Sequence, residues 1–91
     1  MKNSDIAKVM GWDYKLPETK YLFAADSMRL AKLLQAKMVS DKHMIKIMNN
    51  WDGEYMAEDV LSCKNSIMSE WCKTEQEAIV SLFKKVYGGG R

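Results

Sequence analysis

The sequence predicts an α+β domain, a three-stranded antiparallel meander with helices packed on it, in the order α-α-β-β-β-α. Three observations carry this expectation. Asp52-Gly53 separates two strand-like runs and suits a type I′ turn, in which both central residues need positive φ. Apolar residues recur at helical spacing on either side of that region. Thr74 followed by Glu77 forms a capping box, in which hydroxyl and carboxylate each satisfy a backbone N–H at a helix start.

Taken in order, Asn3 or Ser4 can cap a first helix with Ile6, Val9 and Met10 on one stripe, and Gly11 suits the left-handed residue that ends it. Over 13–25 the pattern is irregular. Pro17 disfavours helix at Leu16, and Tyr21-Leu22-Phe23 reads as a short extended piece within the longest loop. Asp26 or Ser27 caps a second helix, whose Leu30, Ala31, Leu33, Leu34 and Met38 form an apolar stripe ending near Val39. Residues 43–50, 54–61 and 67–72 read as strands, the last two joined by a turn over 62–65. The final helix carries Ala78, Ile79, Leu82, Phe83 and Val86 on one face. Lys84 and Lys85 complement the negative end of its dipole, and Gly88 stops it. Residues 1–87 are thus expected to form one domain, and 88–91 a disordered Gly-rich tail.

A two-residue turn at Asp52-Gly53 pairs Ile45 with Val60, Met44 with Leu61, and Lys46 with Asp59. One face then bears His43, Ile45, Ile47 and Trp51 with Met56, Glu58 and Val60. The other bears Met44, Lys46, Met48 and Asn50 with Tyr55, Ala57, Asp59 and Leu61. A sheet that is apolar on both sides asks for two covers. Either helices and the long loop lie on both faces, giving helix-sheet-helix layering, or one face stays partly open as a homodimer or partner interface. Met44, Met48 and Leu61 are the candidates for that interface. A slip of one residue in the hairpin would exchange the faces.

With 91 residues and 47% apolar content, the chain can bury only about 60–65% of its unfolded surface, enough for one core. Fourteen basic residues against twelve acidic ones leave a net charge of +2, with the signs interspersed, so nothing demands nucleic acid or an anionic membrane. The polar start, Met1-Lys2-Asn3-Ser4-Asp5, precedes no apolar run of signal-peptide or membrane-span length, and the expected address is cytoplasmic. Cys63 and Cys72 match no zinc spacing and read as free thiols.

Candidate chemistry is sparse. His43 is the one histidine, and no neighbouring pattern supplies a nucleophile with an orienting group, so no catalytic residue is expected. The carboxylates at Asp52/Glu54 and Glu58-Asp59 fit no calcium or magnesium loop. No glycine-rich phosphate loop precedes a helix, so no metal or cofactor is expected. Trp12, Tyr14, Tyr21, Trp51 and Tyr55 are the candidate binding residues. Together with Trp71, and interleaved with Lys15, Lys20, Lys42 and Lys46, they could stack single-stranded nucleic acid. The acidic residues of the hairpin oppose phosphate, which favours a protein or small-ligand contact over nucleic acid.

Three segments carry a resemblance: Ile6-Ala7-Lys8-Val9-Met10-Gly11-Trp12, Ala25-Asp26-Ser27-Met28-Arg29-Leu30-Ala31-Lys32-Leu33-Leu34, and Thr74-Glu75-Gln76-Glu77-Ala78-Ile79. In order and spacing they resemble the opening, middle and final helices of the phage ABA-sandwich domain family, small bacteriophage and prophage proteins. The resemblance implies helix-sheet-helix layering and a phage accessory gene, and it carries no catalytic residues. In that setting small proteins disable host defence factors or sequester nucleotide signals. The expected function is therefore a non-enzymatic protein of the bacterial host cytoplasm that binds a host factor. A sponge for a nucleotide signal and a single-stranded nucleic-acid binder are the alternatives.

Overall fold

The structure, a computed structural model, describes residues 1–24, 28–60 and 66–88. Its elements are α1 (Asn3–Met10), α2 (Pro17–Ala24), α3 (Met28–Ser40), β1 (Ile45–Asn49), β2 (Tyr55–Asp59), β3 (Ile67–Met68) and α4 (Glu75–Tyr87). The α+β class and the antiparallel sheet, in the order β1-β2-β3, are as expected. The cap at Asp26 or Ser27, the turn over 62–65, Leu61, Cys63 and the tail from 89 lie outside the described residues.

Local chemistry explains most helix ends. At α1 the Asp5 carboxylate accepts the Lys2 N–H at 2.9 Å, so the cap lies one residue earlier than Asn3 or Ser4. Gly11 has φ 75°, and the Trp12 N–H reaches back to the Ala7 carbonyl at 2.8 Å, closing a Schellman motif. The end of α3 repeats this motif with Lys42 at φ 69°, the His43 N–H bonding the Met38 carbonyl at 2.9 Å. At α4 the Thr74 hydroxyl accepts the Glu77 N–H at 3.1 Å, as the spacing predicts.

The region expected as a loop contains α2. Proline opens the helix, where its missing N–H is no loss and its fixed φ is already helical. Leu16 stays outside as the residue before proline, yet its carbonyl accepts the first bond, from Lys20 N–H at 3.1 Å. The short extended piece at Tyr21-Leu22-Phe23 is therefore helical.

The hairpin register differs by one residue from the sequence expectation. Ile45 pairs with Asp59, Lys46 with Glu58, Ile47 with Ala57 and Met48 with Met56. Asn50 causes the shift. Its side-chain oxygen accepts the N–H groups of Asp52 at 2.9 Å and Glu54 at 3.0 Å, and its carbonyl accepts from Gly53 at 3.2 Å. The turn therefore begins at Asn50, the loop is Trp51-Asp52-Gly53, and Gly53 at φ 75° takes the left-handed position of a three-residue hairpin. Tyr55, Ala57 and Asp59 thereby join the isoleucine face, and Met56, Glu58 and Val60 move to the methionine face.

The third strand is shorter than expected. Ser69 N–H bonds the Ala57 carbonyl at 2.8 Å, but the return bond from Ala57 N–H goes to the Ser69 hydroxyl at 2.9 Å. One extra residue follows before Cys72 pairs with Tyr55, which makes a β-bulge at the sheet edge.

Ile6, Leu34, Met38, Ile79, Leu82 and Phe83 form the deepest part of the core. The sheet residues that join it, Ile45, Ile47, Tyr55, Ala57, Ile67 and Cys72, all belong to the isoleucine face. Where the sequence allowed covers on both faces or on one, the core draws on one.

Candidate docking surface

Alternation along the strands puts Met44, Lys46 and Met48 of the β1 run beside Met56, Glu58 and Val60 of the β2 run, with Met68 on β3. The Val60 N–H bonds the Met44 carbonyl at 2.9 Å, extending the ladder by one pair. Met44 is 54% exposed and Met68 44%, and Met48 and Met56 are half-buried without packing on the core. Exposed apolar neighbours gathered on one face make it a candidate interaction surface. Lys46 and Glu58 sit side by side in its middle, and neither side chain has a hydrogen-bond or ion-pair partner among the described residues. Trp51, fully exposed, stands at the hairpin tip.

The aromatic residues named from the sequence are spread over the molecule. Trp12 and Tyr14 both meet Phe23 edge-on, with ring centroids 6.3 and 5.7 Å apart, and are half-buried instead of exposed. Tyr21 is 70% exposed on α2. Tyr55 faces the core, because the shifted register turns it inward. Of the five, Trp51 alone stands at the hairpin tip, where the two faces of the sheet meet. Met56 and Met68 are the surface residues that sequence reasoning missed, and reading a three-residue loop, Trp51-Asp52-Gly53, after Asn50 would have found Met56.

A polar cluster lies at the other edge of the core. His43 Nδ1 is 2.6 Å from Asp59 Oδ2, and the His43 ring meets Tyr87 edge-on at 6.2 Å. The Tyr87 hydroxyl donates to Asp41 Oδ2 at 2.5 Å, and Lys37 Nζ lies 3.3 Å from the same oxygen. These bonds, that from Tyr87 foremost, hold the Asp41 carboxyl below its ordinary range. Burial first, and then the bond to Asp41, push the Tyr87 hydroxyl well above its own. Among the described residues no hydroxyl or thiol hydrogen-bonds His43. The cluster therefore ties the end of α3 to β2 and α4 without the nucleophile of a catalytic triad.

A groove of about 540 Å³ has Phe23, Leu30 and Val80 in its lining, with Gln76, Ser81 and Lys84 among its polar groups. Glu70 accepts from Ser81 at 2.6 Å and pairs with Lys85 at 3.0 Å, and Glu77 further offsets Lys84. Among the described residues the groove thus lacks the cation excess that a phosphate would need. Cys72 lines it, its thiol pushed up by burial and by the nearby Glu77, Glu70 and Glu54, which disfavours the thiolate. Among the described residues no group of three His, Cys, Asp or Glu side chains could hold a metal ion, and no helix is long and apolar enough to cross a membrane.

No protein-family model, curated protein or solved structure matches the chain.

Proposed function

We propose that this protein is a non-enzymatic binding module that docks a host protein through the methionine face of its sheet. One observation supports the reading: among the described residues, Met44, Met48, Met56 and Met68 lie on a face that none of the core residues covers. Methionine is unbranched and polarizable, so such a surface repacks to fit the shape it meets. The complementary partner presents an apolar surface with an acid and a base placed to meet Lys46 and Glu58. Trp51 adds a rigid aromatic anchor at one end.

The setting follows from the resemblance to phage ABA-sandwich proteins: an accessory protein of infection or prophage carriage, working in the bacterial cytoplasm by occupying a host factor's surface. The test is affinity capture from bacterial lysate with the tagged chain and with a Met48→Glu/Met56→Glu double variant. Both positions lie outside the core, so the variant should keep its circular dichroism spectrum, with a melting temperature lowered only modestly by the two glutamates that face each other across the strands. The expected result is a specific host protein held by the parent and lost by the variant. Equal capture by both, or no specific protein on the parent, overturns the reading.

A further inference from the structure

We propose that the methionine face also closes on a second copy of the chain, so that self-association and partner capture compete for one surface. This inference rests on the reading of that face as a docking surface. What carries it is self-complementarity. Lys46 and Glu58 are directly opposite in register, flanked by the Met48–Met56 pair on one side and the Met44–Val60 pair on the other.

Consider two sheets face to face, about 10 Å apart, related by a two-fold axis that lies between them. Run the axis parallel to the strands and midway between β1 and β2. β1 of each copy then lies over β2 of the other. Lys46 of one copy sits over Glu58 of the other, and the reverse pair forms by symmetry. Met48 meets Met56, Met44 meets Val60, and Met68 falls against the outer flank of the opposing β1. The two charges at the centre of the face, Lys46 and Glu58, each find their opposite, and Glu54 at its end falls over Asn50 of the other copy, so among the described residues no like charges meet. Because Lys46 and Glu58 have no side-chain partner among the described residues, the new pairs form without breaking existing ones.

The size of the face sets the strength. Two strands of 5 residues and a third of 2 span at most roughly 15 by 17 Å, a footprint smaller than that of stable homodimers. Association is therefore weak and reversible, with the half-dimer point above about 10 μM. That weakness leaves the face free for a tighter partner.

The experiment is sedimentation velocity on the purified chain from low micromolar to near-millimolar concentration, with Lys46→Glu and Glu58→Lys as variants. The parent should move from monomer to dimer mass across the series. Each variant alone sets like charges against like and should stay monomeric, while an equimolar mixture of the two should regain the dimer, because each face again meets its opposite. A parent that is monomeric throughout, singles that dimerise like the parent, or a mixture no better than the singles would each overturn the inference. A monomeric parent that still captures a host protein sinks self-association and leaves the docking reading standing. A dimerising parent that captures nothing does the reverse.

Discussion

Asp59, only 1% exposed, meets the Nδ1 of His43 at 2.6 Å across the start of the hairpin. The contact joins the Schellman turn after α3 to the end of β2, and so fixes where the sheet leaves the helix. A hydrogen bond to a buried carboxylate contributes about 1.5–3 kcal/mol. His43→Ala should lower unfolding free energy by that amount in urea denaturation, and His43→Gln, which keeps an N–H donor, should recover part of it. A His43→Ala loss below about 0.5 kcal/mol would mean the contact contributes nothing.

Ser69 replaces backbone with side chain at the bulge. Its hydroxyl is the acceptor for the Ala57 N–H at 2.9 Å, deep in the sheet. Ser69→Ala leaves that donor without its acceptor in a buried position, which costs about 1–3 kcal/mol. Thermal and urea unfolding should both show the loss, and hydrogen exchange at the Ala57 amide should accelerate more than at Met48.

Lys42 adopts φ 69°, a region that penalises any residue with a Cβ. Lys42→Gly removes that strain while keeping the Schellman bonds of the neighbouring backbone. We expect it to stabilise the protein by roughly 0.5–1 kcal/mol. An unchanged or lower melting temperature would show that the Lys42 side chain supports the turn in another way.

Glu70 carries a pH dependence of defined sign. Its bonds to Ser81 and then to Lys85 hold the carboxyl at about 2, against an ordinary value of 4.5. The stability this lends is fully present above the ordinary value and fades as pH falls from there toward 2, because the unfolded chain takes up the proton first. Denaturation midpoints measured across that acid range should fall less steeply in Glu70→Gln than in the parent. The side chain is exposed, so the difference will be modest and will shrink with added salt.

Trp51 separates binding from stability. It stands fully exposed at the hairpin tip, outside the core, so Trp51→Ala should shift unfolding free energy by no more than about 0.5 kcal/mol. If it anchors a partner, the same change should weaken capture by about tenfold or more, the scale of an aromatic hot spot. Full retention of capture would place the anchor elsewhere on the face.

Sequence alone determined what depends on near neighbours. The apolar stripes of α1, α3 and α4, the Thr74 cap and the Gly11 stop were all legible, because each is a helical spacing or a bond within a few residues. The existence of the hairpin was legible for the same reason. Its register was not: Asn50 competes with Asp52-Gly53 to begin the turn, and two side-chain bonds from one amide shift the result by a residue. α2 was hidden because a proline that bars helix before it also starts one well. Tertiary structure decided the rest. Which face stays open depends on where α3 and α4 come to lie, and His43 finds Asp59 sixteen positions away only once that register is set. Burial is a property of the assembled layers, and a period of two along a strand cannot say which of its sides the helices will choose.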